Sequence, residues 1–235
     1  MPKPLPWSPS ALDTFVNCPS QYHHKYVLKD LPEEVRTEQQ IHGEDVHKHF
    51  EDRQCVGKPL PDFLAEHEPF MVWLENLPGS SVTEQKIALT HDLLPVSWAW
   101  RKDEIWYRGI IDYIKLCKEK QKAWIVDYKT GRPHQKFRQL VSYVLYAFIL
   151  YPYIDTINAR FYWTKDGTST YKVYRRDEMD LLWAELVGDL QQYAKAFKTN
   201  TWQERPSGLC KRHCPVLGCK HNGRRKGGPH EFDPR

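Results

Sequence analysis

Ile125-Val126-Asp127-Tyr128-Lys129-Thr130-Gly131 is an apolar, β-branched run with an acid and an amine set two residues apart. On a strand that spacing turns both charges to one face. Burying them is costly unless they meet a metal or each other. Upstream, Gly109-Ile110-Ile111-Asp112 has the same texture with one acid. Two carboxylates and a lysine at one edge of a sheet can hold a divalent cation and a water beside a phosphodiester. The chemistry expected of such a group is hydrolysis of a nucleic-acid backbone.

Outward from this run the period of the apolar residues sets the elements. Ser8-Pro9-Ser10 opens a helix, serine capping and proline at the first helical position, and apolar residues continue it toward Tyr26. Further helices are predicted over 38–54 and 61–74, up to the Pro78-Gly79 break. Strands are predicted over 82–90, 96–101, 105–117 and 122–130, the middle two joined by a turn at 102–104. Then come a helix over 134–150, a hairpin of 154–163 with 170–175 around Asp166-Gly167, and a long helix over 177–197. This order predicts an α/β domain, a central mixed sheet flanked by helices.

The 235 residues suffice for one large domain with a real core. Net charge is only +4. From Arg205 onward, however, Lys211, Arg212, Lys220, Arg224, Arg225, Lys226 and Arg235 outweigh Glu231 and Asp233. Such a tail suits a polyanionic partner, or is a solvated terminus. The N-terminus carries no secretory signal, and the apolar run over 141–154 is too short to span a bilayer, so a soluble cytoplasmic protein is expected. In that compartment the six cysteines read as metal ligands or buried thiols rather than disulfides.

Five motifs, in order, resemble the PD-(D/E)XK nuclease superfamily. The likeness is to its RecB-like branch, which includes CRISPR-associated iron–sulfur exonucleases and the AddB nuclease domain. Gly43-Glu44-Asp45-Val46-His47-Lys48-His49-Phe50-Glu51 resembles the family's G-x-x-x-H-x-x-x-E helix. Gly109–Asp112 resembles its G-x-x-D strand, Asp127–Gly131 its D-x-K-T-G strand, and Gln139-Leu140-Val141-Ser142-Tyr143 its Q-x-x-x-Y helix. The segment from Ser8 through Cys18 to Tyr22 resembles the one that brings an early cysteine to the cluster-bearing members. Ile111 stands where the superfamily's name has proline.

The resemblance implies a restriction-endonuclease-like fold and one nuclease domain over 1–235. Within it, 1–78 is a helical part, 79–176 the catalytic sheet core with helix 134–150, and 177–235 a helix and cysteine-bearing basic tail. It implies Asp112, Asp127, His47 and the Tyr128 carbonyl as ligands for Mg²⁺ or Mn²⁺. Lys129 would orient the attacking water, and Gln139 and Tyr143 would bond a phosphate oxygen or a catalytic group. His47 and Glu51 share a helix face, as do Gln139 and Tyr143. Glu84, on the first strand, resembles a further acidic position of the branch.

In the resembling nucleases one early and three late cysteines hold a [4Fe–4S] cluster that ties the two ends of the chain. Cys18, Cys210, Cys214 and Cys219 match in number. The late spacing is C-x₃-C-x₄-C where C-x₂-C-x₅-C is usual, so a Cys₄ zinc site, with His213 or His221 as substitutes, is the rival. Cys55 and Cys117 fit no ligand pattern. Trp98, Trp100 and Trp106 could stack on unpaired bases, or line one face of a strand.

The function implied is a metal-dependent DNA exonuclease acting in recombination, repair or replication. Its partner would be DNA with single-stranded ends, joined by a recombination or single-strand-binding protein. The alternatives are a structure-specific endonuclease or a non-catalytic DNA-binding module on the same scaffold. The second predicts eroded metal and lysine positions, and Asp112, Asp127 and Lys129 are all present.

Overall fold

A computed structural model describes residues 5–32, 37–101, 103–133 and 137–224. Six strands form one mixed sheet: β1 (Ser80–Thr90), β2 (Pro95–Val96), β3 (Ile105–Cys117), β4 (Lys122–Lys129), β5 (Thr156–Trp163) and β6 (Thr168–Arg175). Their order across it is β2-β1-β3-β4-β5-β6. Every neighbouring pair is antiparallel except β4 and β5. Parallel neighbours need a crossover, and helix α5 (Arg138–Leu150) lies in that connection. Its residues 140–148 are all buried, which is why the segment reads as one apolar run. This is the α/β architecture expected.

Four more α-helices precede the sheet: α1 (Pro9–Asn17), α2 (Pro19–Tyr22), α3 (Glu38–Val56) and α4 (Glu68–Glu75). A fifth, α6 (Met179–Thr199), follows it. Thr37 and Gln40 form a reciprocal cap at the start of α3, and Gly57 ends it at φ 70°. Val46 and Phe50 of α3 and Met71 and Leu74 of α4 pack on Tyr113, Val126, Tyr128 and Tyr162 of the sheet. Phe50 is fully buried, and its truncation to alanine costs about 3–5 kcal/mol. Arg53 of α3 clamps α4, donating to Glu68 at 2.8 Å and pairing with Glu75.

The chain divides into two compact units. The larger takes residues 5–7 and 36–187, with the whole sheet; the smaller takes the described parts of 8–35 and 188–235. In the smaller unit the Tyr22 and Tyr193 hydroxyls meet at 2.7 Å within a group of Phe15, Phe197 and Trp202 rings.

Several expected elements come out differently. The segment 96–101 is not a strand beyond Val96. Trp100 N–H donates to the Ser97 carbonyl, closing a turn, and Arg108 holds Trp98 by lying 5.1 Å over its ring and donating to its carbonyl. Trp98 and Trp100 therefore share no strand face, and Trp106 stands in a cluster with Trp7 and Trp183. The helix expected over 61–74 is a 3₁₀ turn (Asp62–His67) followed by α4, with Pro69 setting the new first turn. The first helix is broken at extended Cys18, before Pro19, and resumes as α2 and a π-helical turn (His23–Leu28). Residues 134–136 of the helix expected over 134–150 and Lys102 of the expected turn lie outside the described residues, as do Arg225, Lys226 and Arg235 of the tail.

Candidate active site

The β3–β4 ladder runs from Cys117↔Lys122 to Tyr113↔Val126 and stops there. Beyond that point the Asp112 side chain takes the place of a strand carbonyl: the Tyr128 N–H donates to its Oδ2 at 2.8 Å. Asp112 and Tyr128 thus meet where two central strands part. A side chain on Gly109 would put its Cβ 2.1 Å from the Tyr107 hydroxyl, so glycine is what lets that ring lie along β3 and stack on Tyr146 of α5 at 3.7 Å.

His47 reaches the same point from α3. Its Nε2 lies 3.0 Å from the Tyr128 carbonyl oxygen and its Nδ1 3.4 Å from Asp112 Oδ2. One turn earlier, a Cβ on Gly43 would come 3.3 Å from Thr130 Oγ1, so this residue is small where α3 crosses the end of β4.

On the other side of β4, Asp127 and Lys129 share a face, as their spacing requires, and form an ion pair through Asp127 Oδ2. Asp127 is only 1 % exposed. Gln139 of α5 donates to Asp127 Oδ1 at 2.8 Å and to the Tyr143 hydroxyl at 2.9 Å, the helical i, i+4 step putting both on one side. The Lys129 ammonium also lies 5.5 Å over the Phe161 ring. The structure thus brings together Asp112, Asp127, Tyr128, Lys129, His47, Gln139 and Tyr143.

Burial, and then the neighbouring Asp127, push the Asp112 carboxyl well above the ordinary carboxylate range. Burial lowers the His47 imidazole, against the opposing pull of Asp127. The Tyr143 phenol is pushed far up by burial and by Asp127, so it stays a hydroxyl that can donate. A buried acid held up in this way favours any cation that enters beside it.

The site opens into a cleft of about 710 Å³, lined by α3, Glu84, Ile110, Asp112 and Thr130. Glu51 and Glu84 both face it, and burial and Glu51 raise the Glu84 carboxyl. Glu84 sits mid-strand at φ 47°, a left-handed conformation that costs a non-glycine residue about 1–2 kcal/mol. Sequence reasoning did not select Lys48, which lines the cleft and pairs with Glu51 and Asp52. Its i+3 and i+4 acids were the available signal. His49 lies away from the site and pairs with Asp45 at 3.5 Å.

By donor chemistry two carboxylates, a carbonyl and an imidazole suit Mg²⁺ or Mn²⁺. In this structure those donors are bonded to one another and to Lys129. Among the described residues no three His, Cys, Asp or Glu side chains are grouped as metal ligands.

The same holds at the cysteines. Cys18, Cys210, Cys214 and Cys219, in the smaller unit, line one cavity as free thiols. Burial raises the Cys214 and Cys219 thiols, with smaller contributions from the other cysteines. Fully buried Asn222 fixes the loop by donating to the Cys214 and Val216 carbonyls at 3.0 and 2.9 Å. Sulfur donors suit iron–sulfur or zinc in kind, but the expected ligand arrangement at these four cysteines is absent from the described residues. Neither His213 nor His221 completes a ligand group; His221 pairs with Glu204 at 3.4 Å. Cys117 is buried and Cys55 exposed.

No helix among the described residues is long and apolar enough to cross a membrane. The sequence model of the PD-(D/E)XK nuclease superfamily matches residues 6–219. No curated protein matches the chain. Among solved structures, SSO0001 is similar at a TM-score of 0.50 and 13 % identity, over 94 % of this chain and 89 % of that one. A protein described as a "Putative exonuclease" from Eubacterium rectale is similar at a TM-score of 0.53 and 10 % identity, over 88 % of this chain and 85 % of its own. At such identities the likeness is one of fold.

Proposed function

Because the chain belongs to the PD-(D/E)XK nuclease superfamily, we propose that it is a divalent-metal-dependent DNA exonuclease of the RecB-like type, acting in recombination, repair or replication. The observation that carries this reading is the meeting of Asp112, Asp127, Lys129 and His47 where β3 and β4 part. Asp112, Asp127, the Tyr128 carbonyl and His47 would hold Mg²⁺ or Mn²⁺. The bound ion would supply an acidified water and neutralise charge on the phosphate.

The chain's own groups do the rest. Lys129, with its ammonium at Asp127, would orient the attacking water and offset negative charge as the phosphorus–oxygen bond breaks. Gln139 fixes Asp127 and, through Tyr143, keeps a phenolic donor at the site. The four-thiol cavity is proposed to hold a [4Fe–4S] cluster or zinc in the smaller unit; its support is that four sulfur donors line one cavity.

The test is digestion of end-labelled linear and circular single-stranded DNA with Mn²⁺, Mg²⁺ or EDTA, by wild type and Lys129→Ala. Metal-dependent loss of linear DNA alone, absent in the variant, is the expected result. Cleavage of the circle would replace the exonuclease with an endonuclease, and no cleavage with any metal would overturn the reading.

A further inference from the structure

The sheet has a second open surface, on the face opposite Asp127 and Lys129. Strand alternation puts Lys122, Trp124, Val126 and Tyr128 of β4 on that face. Their registered neighbours are Thr156, Asn158, Arg160 and Tyr162 of β5, and Arg175, Val173, Tyr171 and Ser169 of β6. The intervening residues Ile157, Ala159 and Phe161 are buried, whereas Thr156, Asn158 and Arg160 are only half so. α3 and α4 cover the Tyr128–Tyr162 end. The rest is open: Tyr171 is 61 % and Val173 48 % exposed.

On this surface the rings form a ladder. Tyr162 stacks on Phe70 at 3.8 Å, and Phe70 on Trp73 at 5.5 Å. The Arg160 guanidinium lies 4.3 Å over Trp73 and 5.5 Å from the Tyr171 ring. Trp73 itself is 37 % exposed. No aspartate or glutamate occupies any of the registered positions on this face of β4, β5 and β6. Asp177, pairing with Arg175 at 3.6 Å, is an acid at the margin.

We propose that this face is a stacking platform for single-stranded nucleic acid, separate from the catalytic cleft. Unpaired bases would stack on Tyr171, the exposed end of the ladder, and phosphates would lie on Lys122 and on Arg160, which sits between the Trp73 and Tyr171 rings. The charge argues for a polyanion, and the largely exposed Tyr171 ring argues for one with unstacked bases, since duplex bases are already covered. Tyr171 lies on β6, the edge strand, and is 61 % exposed. The proposal rests on the nuclease reading only in taking the bound strand to be the substrate.

Binding is therefore measured apart from cleavage, as anisotropy of a labelled 30-nucleotide oligo-dT in EDTA, with thermal melts as a control for folding. Tyr171→Ala with Lys122→Glu should raise Kd about ten-fold, on the order of one lost stacked base and one lost phosphate contact. Tyr171→Trp should keep wild-type affinity, and Lys172→Glu, a charge reversal on the opposite face of the same strand, should change it less than two-fold. In Mn²⁺, the double variant should lose kcat/KM on the 30-mer but not on bis(4-nitrophenyl) phosphate, a single phosphodiester with no strand for the platform to bind. Equal affinities for all the proteins, or a Lys172→Glu loss as large as the double variant's, would overturn the platform. So would dimerisation in sedimentation that Tyr171→Ala abolishes, which would make the occupant a second copy. Failure of the nuclease reading would show separately, as no cleavage of either substrate with binding intact.

Discussion

Lys129→Met removes the ammonium from Asp127 and leaves a carboxylate that is 1 % exposed and accepts from Gln139. Breaking a fully buried pair from one side costs roughly 3–5 kcal/mol. The Lys129 side chain is 27 % exposed, so water takes back part of that cost, and about 2–3 kcal/mol is expected. For a chain of this size that is a fall in Tm of about 5–10 °C, at roughly 2–4 °C per kcal/mol.

Two conditions should reverse the loss of stability without restoring cleavage. Adding Asp127→Asn to Lys129→Met removes the orphaned charge and should recover most of the Tm. Mn²⁺ beside Asp127 should recover it in the single variant. Activity on linear DNA should stay at least 10²–10³-fold down, the order seen when one electrostatic stabiliser of a transition state is lost. The assay is thermal melting in EDTA and in Mn²⁺, paired with end-labelled digestion. A Lys129→Met protein that melts with wild type in EDTA, or a double variant less stable than the single, would refute the buried-pair reasoning.

Three more outcomes follow from the geometry. Burial and Asp127 raise Asp112 above its ordinary value of 3.8, so between that value and the folded one the native state holds more protons than the unfolded chain. The metal-free protein should lose stability as pH rises through that window, and Asp112→Asn should flatten the slope; an unchanged slope in melts from pH 4 to 8 would count against it. Gly109→Ala drives a Cβ into the Tyr107 hydroxyl, whose ring is fully buried and stacked on Tyr146, and should cost about 1–3 kcal/mol by denaturant titration. Cys214→Ala should lower the Tm and abolish any visible absorbance of the purified protein, while Cys55→Ala, at an exposed thiol, should change neither; matching behaviour of the two variants would remove the metal reading of the cysteines.

The local rules carried far where one interaction range dominated. Alternation put Asp127 and Lys129 on one face, the i, i+4 step aligned Gln139 with Tyr143, and Ser8 and Pro9 marked the start of α1. They failed where a side chain from another strand, a local turn or a proline inside the period decided the backbone. Arg108 and a turn at Ser97 turned an alternating Trp98-Ala99-Trp100 away from a strand. Pro69 split a continuous apolar period into a 3₁₀ turn and α4.

The sequence by itself determined that two carboxylates, a lysine and a histidine exist in short motifs of fixed spacing, because spacing within one element is set by backbone geometry alone. Only the tertiary structure decided that they meet where two central strands part, since that depends on Asp112 replacing a ladder bond to Tyr128 and on α3 delivering His47 to the Tyr128 carbonyl. The open aromatic face was likewise hidden, because its residues come from α4, β4, β5 and β6 and become neighbours only through register. Contacts between elements far apart in the chain carry no local period, so nothing in a window of sequence records them.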